Sequence, residues 1–303
     1  MKKIRLTFAA LALMVSSVAV AQDDDLDDLF EDDAEEKTKV IAAFKSTHLI
    51  NAETNETVKK GTLDFRITHR FGNVATGNGG HSLLGLDAAT NIRFSFDYGI
   101  SDRFTVGIGR SKTKEHIDGS LKYKLMEQYK GGFPLNIVLY ANAALTPEAD
   151  LGNSYPKFSS RLSYTYQAIF TKKLNWRASI GVLPTFVHRN RVSNEIHPTN
   201  GSTDQNDLFS IGAMGRFKVT QSVGIIAEYF YTFSEFRTDN TFRPYYMPLG
   251  VGVEIETGGH VFQVNFTNAS GIITNDFIPT SGESWLDGAF KIGFTISRVF
   301  GGR

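Results

Sequence analysis

Arg66 and Arg70 stand four residues apart in GTLDFRITHRFG (61–72), with Asp64 two residues before the first. Alternate side chains of a β-strand share a face. In a strand, these three charges would therefore project together, while Leu63, Phe65, Ile67, His69 and Phe71 project the opposite way. The same alternation puts Arg93, Arg103, Lys122, Lys124, Arg161, Arg177, Arg216, Lys218 and Lys291 on the polar faces of later stretches. Asp97, Asp118, Glu228, Glu254 and Glu256 join them, giving eleven basic groups against six acids with Asp64 counted. Rings of Arg and Lys around a passage favour anions, and the same groups, paired with the acids, would instead fill and crosslink a closed interior.

Other chemistries have little support. The chain has no Cys, which removes disulfides, thiolate metal sites and thiol nucleophiles. Its seven histidines (48, 69, 81, 116, 188, 197 and 260) are scattered, without HExxH or any metal-ligand spacing. There is no GxSxG nucleophile turn, and GNGGH (77–81) lacks the Lys-Ser or Lys-Thr that completes a phosphate loop. His188 and His197 share an outer loop with Asp204 and Asp207, where residues of these types are commonly solvated. The expectation is a protein that is not an enzyme, takes no cofactor or metal, and binds no nucleic acid.

The elements that must position the charges are strands. From residue 61 onward a period of two recurs in NIRFSFDYG, RFTVGIGR, HIDGSLKYKLM, FPLNIVLYANA, KFSSRLSYTYQAIF, WRASIGVLPTFV, LFSIGAMGRFKV, VGIIAEYFYTF, LGVGVEIE, HVFQVNFTN and AFKIGFTISRVF. With the first stretch these make twelve, of a length that suits the roughly 9–11 residues a tilted strand needs to cross a bilayer. Short connections (99–102, 171–175, 220–222, 256–259) alternate with long polar ones, and an even count returns both ends of the barrel to the side of the short turns. Phe71, Tyr98, Phe104, Phe133, Phe170, Trp176, Phe217 and Phe300 fall at strand ends, where aromatic belts form. The Gly-rich connection 73–90 carries a candidate short helix near Leu83 to Ala89.

The start of the chain differs in kind. Residues 1–21, MKKIRLTFAALALMVSSVAVA, have the basic start, apolar run and small-x-small end of a secretory signal. Residues 22–37, QDDDLDDLFEDDAEEK, hold ten acids and predict a disordered arm. Residues 37–303 keep 29 Lys and Arg against 22 acids, so the arm is tied to a body of opposite charge. The arm is a candidate plug for a basic lumen, or a handle for a periplasmic protein partner. Residues 38–60 form an N-terminal extension, periplasmic or lumenal, and 61–303 the barrel.

With its signal, its turns such as DYGISDRFTVGIGRS and its alternating C-terminal strand, the chain resembles Gram-negative outer-membrane β-barrels, particularly the uncharacterised single-barrel families of that compartment. The resemblance covers residues 61–300; Phe300 is followed by Gly301, Gly302 and Arg303, where such proteins commonly end on an aromatic residue. It implies an all-β fold, a single transmembrane antiparallel up-and-down barrel of about twelve strands in the outer membrane, and the lipid bilayer as partner. The expected function is a narrow pore or transporter for small, anionic solutes. The alternative is a nonconducting structural or binding barrel that acts through its outer loops or acidic arm.

Overall fold

The computed structural model describes residues 38–75, 79–149 and 155–301. The secretory signal (1–21) and the acidic arm (22–37) lie outside the described residues. Twelve antiparallel strands close into a barrel, each paired with its sequence neighbours and the last with the first. They are β1 (Leu63–Asn73), β2 (Ala89–Ser101), β3 (Phe104–Ser111), β4 (Ile117–Met126), β5 (Asn136–Leu145) and β6 (Leu162–Lys173). The second half holds β7 (Ala178–Arg189), β8 (Asp207–Lys218), β9 (Val223–Phe233), β10 (Leu249–Thr257), β11 (His260–Thr267) and β12 (Lys291–Phe300). Closure runs in register from Leu63 opposite Phe300 to Asn73 opposite Lys291, with one irregularity near Gly293.

Closure satisfies every strand edge, which a sheet in hydrocarbon requires. The alternation then sorts the side chains. Phe94, Phe96, Tyr98, Ile108, Leu121, Ile225, Tyr229 and Val253 are exposed on the outer wall, while Arg66, Arg70, Ser95, Asp118, Lys122 and Glu254 are buried inside. In an aqueous globule such an apolar exterior would be insoluble; against lipid tails it is the favoured side. His69, on the lipid side, packs its ring at 4.2 Å from Phe71. Connections 102–103, 127–135, 174–177, 219–222 and 258–259 lie at one end with both barrel termini, here the turn end. The remaining connections form the loop end. There, helical turns occupy Gly79–Gly85, slightly earlier than the sequence suggests.

Two segments fold into the barrel. Residues 40–58 rise from the turn end and return to it. Their entry is fixed by Thr38–Lys39, which pair with Tyr129–Lys130, by Val40 N–H to Gln128 O (2.9 Å) and by Lys39 with Glu127 (2.6 Å). Their exit is fixed by Val58 N–H to Thr105 Oγ1 (3.0 Å), Lys60 N–H to Asp102 Oδ1 (2.9 Å) and Gly61 N–H to Gly99 O (2.8 Å). Gly99 is required at this exit, because a Cβ there would overlap the Lys59 carbonyl. From the loop end, residues 268–290 turn inward around a short helix, α1 (Thr274–Thr280), six of whose seven residues are buried.

The interior these inserts fill has two different walls. Val138, Ile169, Leu183, Leu208, Ile226 and Phe230, from β5 to β9, project inward and form one apolar cluster with Phe44, Leu49 and Ile50 of the first insert and Phe277 and Ile278 of the second. The opposite wall, β10 to β12 and β1 to β4, carries most of the buried charges, with Arg216 of β8 and Glu228 of β9 the exceptions.

Candidate functional site: a polar lumen occupied by its own chain

The first insert is a tight hairpin. Thr54 donates to Thr47 O (3.0 Å), His48 and Glu53 form a bridge, and Leu49 donates to Ala52 O (2.8 Å), so Ile50 and Asn51 make the tip. A reversal leaves consecutive N–H groups pointing one way, a concavity that receives anions. Here the anion is Glu228 of β9. Its Oε2 accepts from Ile50 (3.2 Å), Asn51 (2.9 Å) and Ala52 (2.8 Å), and its Oε1 also accepts from Asn51 (3.0 Å).

The cationic wall holds the rest of the hairpin. Arg70, fully buried, donates through Nη2 to Asn51 Oδ1 (2.7 Å) and through Nη1 to Asn265 Oδ1 (2.8 Å). Gly293 on β12 makes room for it, since a Cβ there would strike the Arg70 guanidinium. Arg66 Nη2 donates to Ser46 Oγ (2.7 Å), Thr47 Oγ1 (2.8 Å) and Asp64 Oδ2 (3.2 Å). Lys122 Nζ donates to Thr47 O (2.8 Å) and lies 2.6 Å from Glu53 Oε2, whose other oxygen is 2.8 Å from His48 Nε2. Burial alone would push the Glu53 carboxyl up, but His48 and Lys122 outweigh it and hold Glu53 well below the usual carboxylate range.

The second insert is tied from outside. Lys114 reaches Asp276 of α1 at 2.7 Å, with His116 beyond it at 3.9 Å, and these two outweigh burial to keep Asp276 below the ordinary range. Thr165 donates to Asn275 Oδ1 (2.9 Å), the Tyr245 hydroxyl to Ile278 O (2.6 Å), and Arg237 Nε to Pro279 O (3.2 Å). Asp204 receives both Arg237 and Arg189 at 2.8 Å, joining two outer loops to the insert. Between the inserts remains a cavity of about 20 Å³. That is room for a water molecule and not for a solute.

Of the charges expected in the lumen, twelve are there: Arg66, Arg70, Arg93, Lys122, Lys124, Arg216, Lys291, Asp64, Asp97, Asp118, Glu228 and Glu254. Arg93 pairs with Asp118, Arg216 with Glu254 (2.8 Å), and Lys291 with Glu283 of the second insert. Five are not. Arg103, Arg161 and Arg177 precede the first residues of β3, β6 and β7, where no pleat aims a side chain inward. Arg103 pairs with Glu127, Arg161 caps the Thr146 and Glu148 carbonyls, and Arg177 lies over the Trp176 ring. Lys218 and Glu256 sit at the turn-end rim, the latter 2.7 Å from Lys45. Sequence reasoning allowed residues 38–60 a periplasmic or lumenal place without the hairpin, and it missed the apolar inward wall, whose signal is doubly apolar runs such as NIVLYANAAL (136–145).

A model described as membrane bound beta barrel domain, DUF5777, matches residues 44–300. The chain belongs to this family. The match begins inside the hairpin, so the DUF5777 unit includes most of the lumenal insert and not the barrel wall alone. With its lipid-facing exterior, the DUF5777 barrel is an outer-membrane protein. No curated protein matches the chain. Among solved structures it is similar to the NanC porin (8% identity, TM-score 0.46, covering 80% of this chain and 100% of that one). It is also similar to an outer-membrane channel from Pseudomonas putida F1 (14%, 0.46, 81% and 98%) and to the KdgM porin (8%, 0.44, 80% and 99%). Similarities at this level carry no information on solute.

Proposed function

We propose that the protein is a narrow outer-membrane channel for small anionic solutes, closed at rest by residues 40–58 and opened when that hairpin is drawn toward the periplasm. The observation that carries this reading is the pairing of Arg66, Arg70 and Lys122. Each spends hydrogen bonds on the hairpin, and Lys122 has its carboxylate partner, Glu53, on the hairpin itself. Withdrawal would leave a cationic strip along β1 and β4.

Filling alone does not account for such a wall, because buried ion pairs commonly stabilise less than apolar groups of equal volume. The turn end, which by the asymmetry of outer-membrane barrels faces the periplasm, supports the same direction of solute handling. Lys59, Lys60, Lys130, Lys172, Arg177 and Lys218 gather there without a carboxylate in ion-pair range among the described residues. A cationic mouth concentrates anions at the pore. The acidic arm, continuous with Thr38, is the handle by which a periplasmic protein would pull.

Liposomes carrying a chain that lacks residues 22–58 test this reading. Small monocarboxylates should enter faster than size-matched cations. Equal entry, from protein shown to be folded and inserted, would remove the anion preference.

The second reading is a nonconducting barrel acting through its outer loops or arm. It is favoured by one observation, the apolar contact of Phe44, Leu49 and Ile50 with β5 to β9, which makes the hairpin part of a continuous core.

A further inference from the structure

The outer wall of the barrel is not evenly covered. Large side chains adjoin one another across β1, β2 and β3, where Phe65, Phe96 and Ile108 share a row and the first two rings stack at 4.9 Å. Across β4 to β8 a corresponding row, Tyr123, Leu139, Ala168, Pro184 and Ile211, is small in its middle. The next row toward the loop end starts at Ala141 and rises into a ridge of rings, Tyr166, Phe186 and Phe209, with centroids 6.4 and 5.0 Å apart. Between the two rows runs an apolar groove of about 730 Å³, reaching Phe104 at one end and Phe233 at the other.

The floor of this groove carries a cost. Asn190 N–H donates to Leu162 O (3.1 Å), which sets Ala168 opposite Pro184 among the alternate pairs of β6 and β7 that exchange hydrogen bonds. Proline has no N–H, and the ladder passes from Gln167 opposite Thr185 to Phe170 opposite Val182 without that pair. Proline is rare inside a sheet for this reason. The Pro184 ring is exposed on the outside, so it packs against nothing within the barrel. What it provides is a short, rigid floor facing lipid.

The four spacings from β4 to β8, at about 4.8 Å each, make a straight slot roughly 19 Å long. Strands tilted by about 45° incline a row across them by the same angle, so the slot rises about 13 Å through the membrane. Half the hydrocarbon core is about 15 Å deep, which matches one acyl chain of one leaflet. A second copy fits less well. A two-fold axis along the membrane normal would bring the partner's rows across the slot at about 90°, bridging it and leaving it unfilled. The turn-side end of the slot lies at Phe104, next to Arg103. There Lys39 (2.6 Å), Arg103 (3.3 Å) and Lys124 (3.9 Å) share one carboxylate, Glu127, and the Lys39 and Arg103 side chains are half-exposed. A surplus of cations at the membrane surface attracts anionic headgroups.

We propose that this slot is a phospholipid site of the periplasmic leaflet, holding one acyl chain between the Ala168 and Pro184 floor and the ridge of rings, with the phosphate at Arg103. It belongs to the outer wall alone and does not depend on whether the barrel conducts.

Native mass spectrometry of the full mature chain, delipidated in detergent and then given dipalmitoyl phosphatidylglycerol, tests the site. One lipid should stay bound at collision energies that strip all others. Ala168→Phe, which fills the slot from outside, should lower that retention roughly tenfold. Ala141→Phe, on the neighbouring strand, should do the same, whereas Ile108→Phe, outside the slot, should leave it unchanged. Heat-dependent gel mobility establishes that each variant is a folded barrel. Arg103→Gln should erase the preference for phosphatidylglycerol over phosphatidylethanolamine. A graded series of lipids with no privileged first one, or full retention in the two slot-filling variants, would overturn the site, and an unchanged preference in Arg103→Gln would contradict the headgroup position.

Discussion

Ala52 donates its backbone N–H to Glu228 Oε2 over 2.8 Å, and residues 176 positions apart in sequence are thereby joined at the centre of the barrel. Asn51 and Ile50 donate to the same carboxylate. Glu228 is thus the receptor for the hairpin tip. Hydrogen bonds to an ionised group contribute about 1.5–3 kcal/mol each, and Glu228→Gln keeps the shape while removing the charge. We expect this variant to loosen the tip by about 2 kcal/mol. Amide hydrogen exchange at Ile50–Ala52 should then speed up about 30-fold relative to the barrel strands; unchanged exchange would remove Glu228 as the latch.

The apolar side of the hairpin makes a separate prediction. Phe44 is 1% exposed against the inward cluster of β5 to β9. Truncation of a buried Phe to Ala costs about 3–5 kcal/mol, the transfer term plus the cavity left behind. Phe44→Ala should release the hairpin while the barrel stays folded, seen as new protease cleavage within residues 40–58 and an unshifted barrel melting transition.

Acid should weaken both inserts. Glu53 and Asp276 titrate below their ordinary values of 4.5 and 3.8 in the folded protein. The folded state therefore binds these protons less tightly than the unfolded one, and the stabilisation is fully present above those ordinary values. It is lost as pH falls below them toward the folded ones. Hairpin protection should hold between pH 5 and pH 7 at about the same level and fall on acidification toward pH 3. Glu53→Gln should flatten that dependence.

A cysteine-free chain permits a direct test of accessibility. A single Cys replacing Ala52, 1% exposed at the tip, should react with a charged thiol reagent far more slowly than one replacing Leu286, 98% exposed on an outer loop. In Glu228→Gln the difference should shrink. Equal rates in the parent chain would contradict a seated hairpin.

The barrel was legible because its outer wall is apolar almost everywhere, His69 apart: wherever the inner wall is polar, as in LDFRITHRF, period two is unmistakable, and Arg66, Arg70 and Lys122 fall out as inward residues. The signal fades where both faces are apolar. In VGIIAEYFYTF the inward Ile226 and Phe230 are indistinguishable in type from the outward Ile225 and Tyr231, so the apolar half of the lumen shows only as a loss of alternation. Residues 40–58 have no period of their own, because a hairpin tip is shaped by the wall that receives it. The helix α1 is seven residues long with Pro279 inside it, too short for a helical stripe to register. Arg103, Arg161 and Arg177 were misplaced for the converse reason, an alternation carried one residue past the end of its strand.

Single-channel recording in a planar bilayer, comparing the full mature chain with a chain lacking residues 22–58, separates a channel plugged by its hairpin from a filled barrel. The full chain should be silent or show rare, brief openings. The shortened one should give discrete steps with a reversal potential toward that of the anion in a KCl gradient. Steady conductance from the full chain, or silence from a folded and inserted barrel without its hairpin, would contradict a channel plugged in this way.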